Sequence, residues 1–194
     1  MPDAAHAAET IRVLESDLIE LALRRAPVDA IVERVAGALC EAGVRVNQIR
    51  LGARTLHPAI DAIAVSWSSK AGIDIGVLRH AEAGGEDWLR SPLRYMIDTR
   101  TPRMRRRLSD PAERADYPVF ESMAAAGTTD YLAHLFIFGD PHATRRDDLI
   151  VRWMSHHADG FRDSDLAILD RIGGHVAAAI LPGLEHSIAR NLLE

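Results

Sequence analysis

The spacing of the apolar residues changes along this chain from a helical period to an alternating one, and then back. Near the N-terminus they recur every three or four positions, as in Ile11, Leu14, Leu18 and Leu21. Between Val46 and Val77 they alternate with polar or small residues. A period of two is typical of half-buried strands, whereas a period near 3.6 is typical of amphipathic helices. The pattern therefore predicts helices at both ends of the chain and a β-sheet between them.

Breaker residues divide these segments into elements. Ala26-Pro27 separates the first helix from a second, which is predicted to begin near Val28 and to end at Gly43, because proline is poorly tolerated inside a helix. In the glycine- and proline-rich middle of the chain, short helices are predicted at 93–98 and 118–126 and one short strand at 105–108. The main strands are predicted at 46–53, 62–67, 73–77, 131–138 and 149–156.

The last helix carries an apolar stripe that outlasts the expected core. Asp163 or Ser164 is predicted to cap its start, and Pro182 is predicted to kink it. The stripe continues beyond Pro182, where a compact domain would already be covered, so it predicts a partner helix. We therefore expect a domain at 1–182 and the start of a signalling helix at 183–194. The candidate dimer residues are Ile180, Leu184, Ile188 and Leu192.

Composition limits the class of protein. The chain has 194 residues, 47% of them apolar and 26% charged, which fits one globular domain. A net charge of −5 argues against nucleic acid as a partner, and no long apolar run or signal peptide is apparent, so no membrane partner and a cytoplasmic location are expected. The element order predicts an α+β fold. The expected fold is an antiparallel sheet of five to six strands with the N- and C-terminal helices packed on one face. The irregular middle of the chain, 82–127, is expected to cover the other face.

Two motifs carry a family resemblance: Arg50-Leu51-Gly52-Ala53-Arg54-Thr55-Leu56-His57-Pro58 and Gly160-Phe161-Arg162-Asp163-Ser164-Asp165-Leu166. They resemble the GAF-like N-terminal region of bacterial class III adenylate/guanylate cyclases. The resemblance also includes Val46, Trp67, Ser91-Pro92, Tyr117-Pro118-Val119, Thr129-Asp130-Tyr131 and Ala189-Arg190-Asn191-Leu192-Leu193.

GAF domains are small-molecule-sensing relatives of the PAS fold. The resemblance implies a regulatory domain without cyclase chemistry of its own. It also implies dimerisation through the terminal helices. In the parent protein, a C-terminal cyclase domain is expected to follow the last helix.

Candidate ligand-binding residues lie on the predicted strands. Arg54 and His57 could hold an anion, or could equally cap the turn before Pro58. His134 is either a pocket residue or a satisfied core histidine. Trp67, Tyr131 and Trp153 offer flat apolar surface to a heterocycle, although core packing explains their positions equally well.

Other chemistries find less support. Adjacent His156 and His157 would face opposite sides of a strand, so no metal site is predicted, and no cofactor is expected. The run Arg103–Arg107 could bind phosphate or an acidic partner surface, although such runs are usually solvated faces, and nearby acids could balance it. Cys40 is interpreted as a reduced core thiol. Two alternatives remain open: a purely structural homodimerisation module without ligand, and a small enzyme that uses His134 or His156 as a base.

Overall fold

The computed structural model describes residues 3–54, 60–79, 85–138 and 147–191. Its helices are α1 (Ala4–Leu23), α2 (Val28–Glu41), α3 (Glu86–Leu89), α4 (Pro92–Thr99), α5 (Pro111–Arg114), α6 (Pro118–Ala125) and α7 (Asp163–Asn191). Its strands are β1 (Gln48–Arg54), β2 (Ile60–Ser68), β3 (Gly72–Arg79), β4 (Arg103–Arg107), β5 (Asp130–Phe138) and β6 (Asp147–Ser155).

The strands form one antiparallel sheet in the order β3-β2-β1-β6-β5-β4. On either side of the centre, strands that follow each other in the chain pair with each other. The centre itself is made by β1 and β6, which are distant in sequence. Residues of the first and last thirds of the chain therefore meet in the middle of the sheet.

One face of the sheet is covered by two layers of helix. Helix α2 packs on β2 and β3, helix α7 packs on β5 and β6, and α1 lies on both helices. Ion pairs join α1 to its neighbours, between Asp17 and Arg34 and between Glu15 and Arg171. The predicted α+β fold with terminal helices on one face is confirmed.

The opposite face is covered unevenly. Met96 of α4 and Phe120 of α6 pack on the half of the sheet made by β4, β5 and β6, together with Met104 and Tyr131. The irregular segment thus covers this half, as its position in the sequence predicts. On the other half, β1, β2 and β3 present small and polar residues such as Gly52, Ser66 and Asp74 to this face.

The turn before α7 is held by one buried carboxylate. Asp130 is fully buried, and its oxygens accept hydrogen bonds from Arg105 Nη2 at 2.7 Å and from the Phe161 amide at 3.0 Å. Gly160 adopts φ +66°, a left-handed conformation that favours glycine, and a Cβ there would lie 2.5 Å from Asp130 Oδ2. Phe161 then enters the core beneath the helices.

The cap of α7 differs from the prediction. The Asp165 carboxylate, rather than Asp163 or Ser164, accepts from the Arg162 amide at 2.9 Å, which is the reciprocal bond of a capping box. Asp165 is buried and also pairs with the Arg162 guanidinium. The acid at the third position of the helix reaches back to the amide before it, and the two earlier candidates, Asp163 and Ser164, are left exposed.

Helix α7 runs through two glycines and through the proline that is predicted to kink it. Gly173 and Gly174 lie within it, and it continues past Pro182 to Asn191. A Cβ at Gly173 would approach Phe136 Cζ at 3.2 Å and His134 Nδ1 at 3.4 Å, so the glycine lets the helix lie close to β5. Among the helices of the described ranges, none is both long and apolar enough to cross a membrane.

The environments of Cys40 and of the basic run are also resolved. Cys40 is exposed near the end of α2, so the prediction of a core thiol is wrong. The basic run forms β4 and is neutralised by carboxylates, with Arg103 paired to Asp170 and Arg106 to Asp116.

Candidate functional site

The predicted ligand-binding residues are divided between the two faces of the sheet. Trp67, His134 and Trp153 point to the helix-covered face, where Trp153 is fully buried and Trp67 is half-buried at the edge of the core. Tyr131 points to the opposite face and packs against Phe120. Because successive strand residues alternate between faces, these four side chains cannot line one pocket.

His134 lies in a hydrogen-bonded chain beneath α7. The Trp153 indole Nε1–H donates to His134 Nδ1 at 3.2 Å, and His134 Nε2 lies 2.7 Å from Asp170 Oδ1. Since an indole can only donate, Nδ1 must be unprotonated, and Nε2 therefore donates to Asp170. Arg103 also donates to Asp170, at 2.8 Å. The satisfied core histidine is the alternative that the structure supports.

We expect His134 to make stability depend on pH. Burial lowers the pKa of the His134 imidazole below its ordinary 6.5, although the hydrogen bond to Asp170 opposes this shift. On acidification the unfolded chain therefore binds a proton before the folded chain does. The stability contributed at neutral pH is lost as the pH falls below about 6.5, down to the lowered pKa of the folded state.

The measurement is the free energy of unfolding from urea titrations between about pH 5 and pH 8. His134→Gln is expected to flatten the loss of stability on the acid side. His175→Gln serves as the matched control, because His175 is an exposed histidine of α7. An unchanged acid-side slope in His134→Gln would contradict the assignment.

On the opposite face, the structure brings together two arginines that were not among the predicted site residues. Arg50 of β1 and Arg152 of β6 are directly opposite in the register of the two central strands. Arg152 Nε and the Tyr131 hydroxyl are both buried, and neither has a hydrogen-bond partner among the described residues. Burial raises the pKa of Tyr131 to about 12, so its hydroxyl remains a neutral donor. Burial lowers the pKa of Arg152, and the charge of Arg50 acts in the same direction.

The surroundings of these groups change from apolar to polar across the sheet. Ile150 and Met154 flank Arg152 on its own strand and belong to the apolar cluster beneath α4 and α6. On the other side of Arg50, the row continues through Ser66 to the exposed Asp74. A Cβ at Gly52 would meet no atom of the described residues within 4 Å, so the described part of the chain leaves space above β1 next to the arginines. A small molecule could lie there against both kinds of surface.

The other predicted site residues fall outside this site or outside the described residues. Ile180 is fully buried in the core of its own chain, so its side chain is not available to a dimer seam. The side chains of Arg54, Leu184 and Ile188, and the whole of His57 and Leu192, lie outside the described residues. In the described ranges, no group of three histidine, cysteine or acidic residues is arranged to hold a metal ion.

A sequence signal for Arg152 exists, but it is incomplete. An arginine interrupts the otherwise apolar segment from Leu149 to Met154, and a charged residue within a buried strand needs a partner or a purpose. That Arg50 lies opposite it depends on the register between two strands about a hundred residues apart, which periodicity does not determine.

The sequence matches no protein-family model and no curated relative. In three dimensions, the chain is similar to the GAF domain of a phosphoenolpyruvate-protein phosphotransferase (ptsP) from Coxiella burnetii, with a TM-score of 0.52 at 14% identity over 98% of this chain and 99% of that chain. It is also similar to the phycoerythrobilin-bound GAF domain of a cyanobacterial phytochrome, with a TM-score of 0.51 at 13% identity over 91% of this chain and 97% of that chain. A further similar structure is the N-acylhomoserine-lactone-dependent LuxR-family transcription factor CepR2 from Burkholderia cenocepacia. Its TM-score is 0.48 at 12% identity, over 90% of this chain and 98% of that chain. The chain thus has a GAF-like α+β fold.

Proposed function

We propose that this chain is a regulatory sensory domain that binds a small molecule on the sheet face opposite the terminal helices. The observation that carries the proposal is the pair of buried polar atoms, Arg152 Nε and the Tyr131 hydroxyl, for which the described residues supply no hydrogen-bond partner. Buried polar groups are nearly always hydrogen-bonded, so such a pair favours a missing ligand. The GAF-like fold supports the regulatory, non-catalytic part of the proposal at the level of fold alone.

The proposed output path is α7. This helix packs on β5 and β6, the strands that carry Tyr131 and Arg152, and continues beyond Pro182. A ligand that binds one arrangement of the sheet more tightly would shift the population of arrangements of α7. By the sequence resemblance, the output is a cyclase domain, and the parent is a bacterial cyclase signalling protein in the cytoplasm.

The test of ligand binding is native mass spectrometry of gently purified protein. We expect a mass in excess of the chain that disappears on denaturation, because a buried site with unpartnered donors should retain its ligand. A panel of metabolites would then be screened for an increase in melting temperature. A ligand-free mass together with no stabilisation by any member of the panel would contradict the proposal.

Dimerisation through the helix layer is the second part of the proposal. Ile19 and Leu23 are exposed on α1 and, with Ala178 of α7, line a groove of about 380 Å³ between the two helices. Large apolar side chains exposed together on a helix pair are typical of a protein interface. A second copy of the chain would cover both the groove and the stripe predicted beyond Pro182.

We expect Ile19→Asp combined with Leu23→Asp to weaken self-association by at least about tenfold, because the seam would bury two carboxylates. Val119→Asp is the matched control, since Val119 is also an exposed apolar residue but lies on α6, which packs on the opposite face of the sheet. Sedimentation velocity over a concentration series measures the effect, and removal of residues 183–194 tests the contribution of the end of α7. A wild-type chain that stays monomeric at high micromolar concentration would refute the dimer.

The same apolar groove favours a second candidate function, a homodimerisation module without ligand. The two functions separate in the mass measurement, because the module predicts a dimer that has the mass of two chains alone. Turnover of a substrate in the metabolite panel would instead support an enzyme.

A further inference from the structure

We propose that Arg50, Arg152 and the Tyr131 hydroxyl bind the carboxylate or phosphate group of a small organic anion on the open face of the sheet. This inference rests on the proposed sensory function and names the chemical class of its ligand.

The first observation is the placement of the two arginines. They form a directly opposed pair on the two central strands of an antiparallel sheet. Like charges in such a pair are destabilising, because opposed Cβ atoms are only about 5 Å apart. Within the described residues, neither guanidinium is paired with a carboxylate. An anion between them would convert the repulsion into two charge-assisted contacts.

The second observation is that two buried donors, one on Arg152 and one on Tyr131, lack acceptors among the described residues. Arg152 Nε and the Tyr131 hydroxyl are both buried, and no partner for either exists in the described part of the chain. Tyr131 itself is 1% exposed, and it and both arginines influence one another electrostatically. Each buried polar group without a partner costs free energy, so an acceptor shared among these donors would stabilise the domain.

The third observation is the distribution of charge and space around these donors. The acid on this row of the sheet, Asp74, is exposed and lies two strands from Arg50, which corresponds to about 10 Å from strand spacing. It is therefore too far to pair with Arg152. The open space over Gly52 lies beside Ile150, which is apolar. The site thus suits an anionic head on the arginines and an uncharged body over β1.

The chemistry of the donors selects oxyanions. A guanidinium presents a planar fork that matches the oxygens of carboxylate or phosphate, and the tyrosine adds a neutral donor. A halide offers no such pair of oxygens, and a cation would be repelled by both arginines.

The test compares phosphate with benzoate as titrants at low ionic strength, with melting temperature and calorimetric titration as readouts. Phosphate tests a tetrahedral oxyanion, whereas benzoate tests a carboxylate on an apolar body. We expect at least one of them to stabilise the wild-type chain. Arg152→Met is expected to raise the melting temperature of the ligand-free protein, because it removes a buried charge, and to weaken binding at least tenfold.

Tyr131→Phe is the gentler variant, since it removes only an unpartnered hydroxyl. It should leave the ligand-free melting temperature equal or higher and weaken binding several-fold, so it tests the site even if Arg152→Met fails to fold. Arg12→Gln is the control for charge, because Arg12 is an exposed arginine of α1 that pairs with Glu9. It is expected to leave binding unchanged.

The outcomes separate this inference from the sensory function. Equal binding of both anions to wild type, Arg152→Met and Tyr131→Phe would overturn the anion site. The same holds if the protein retains a neutral molecule in native mass spectrometry, although the sensory function would then stand. Selective loss of binding in Arg152→Met and Tyr131→Phe, but not in Arg12→Gln, supports the anion site even if no ligand is retained on purification.

Discussion

Gly160→Ala is expected to lower the free energy of unfolding by about 3–5 kcal/mol. An alanine at φ +66° already costs roughly 1–2 kcal/mol. Its methyl group would also lie 2.5 Å from Asp130 Oδ2 and 2.8 Å from Asp130 Cβ, so the carboxylate must move. Asp130 would then lose its bonds to Arg105 and to the Phe161 amide. Breaking a buried ion pair accounts for the larger part of the expected loss.

Gly72→Ala is the matched control for this effect. Gly72 has a similar φ of +75°, but a Cβ there would meet no atom within 4 Å in the part of the chain that the structure describes. It should therefore show only the conformational cost of about 1–2 kcal/mol. Urea unfolding monitored by tryptophan fluorescence measures both variants. If the two substitutions cost the same, Asp130 does not hold the turn before α7.

Trp153→Ala is the second large effect, with an expected loss of about 3–5 kcal/mol. Trp153 is fully buried between the sheet and the helices, so its removal leaves a cavity that the surrounding β-sheet cannot fill. It also removes the donor to His134 Nδ1. Trp153→Phe should separate the two contributions, because it retains most of the apolar volume and loses the hydrogen bond, at about 1–3 kcal/mol.

Trp67→Ala serves as the control for Trp153→Ala. Trp67 lies on the same face but is only half-buried, and should cost clearly less. Differential scanning calorimetry and urea titration should rank the variants in the same order. A loss in Trp67→Ala as large as that in Trp153→Ala would show that the core is centred nearer to β2 than the structure indicates.

Much of the element pattern was predictable from local spacing. The 3.6-residue period at the two ends and the alternation between them identified α1, α2, α7 and the main strands, because burial of one face leaves that period in the sequence. The short α3 and α5 lack such a stripe and were not predicted. The cap of α7 was misassigned because three acidic or hydroxyl residues in a row all satisfy the capping preference, and only the geometry selects Asp165.

The candidate site was less predictable than the fold. Trp67, Tyr131 and Trp153 all occupy alternating positions, but only the pairing of the strands shows that Tyr131 points to the opposite face from the two tryptophans. A prediction made from one strand at a time selected large aromatic residues. The pair formed by Arg50 and Arg152 was missed because the register that places the two residues opposite each other cannot be read from either strand alone.

The sequence by itself thus determined the kinds of element and their order, since these follow from local periodicity and turn chemistry. The tertiary structure decided which strands are neighbours and in what register. Placing β1 beside β6 brings Arg50 opposite Arg152, and placing β4 beside β5 brings Arg105 to Asp130. These contacts join residues far apart in the chain. They arise when the whole sheet buries its apolar face, and no local pattern contains that information.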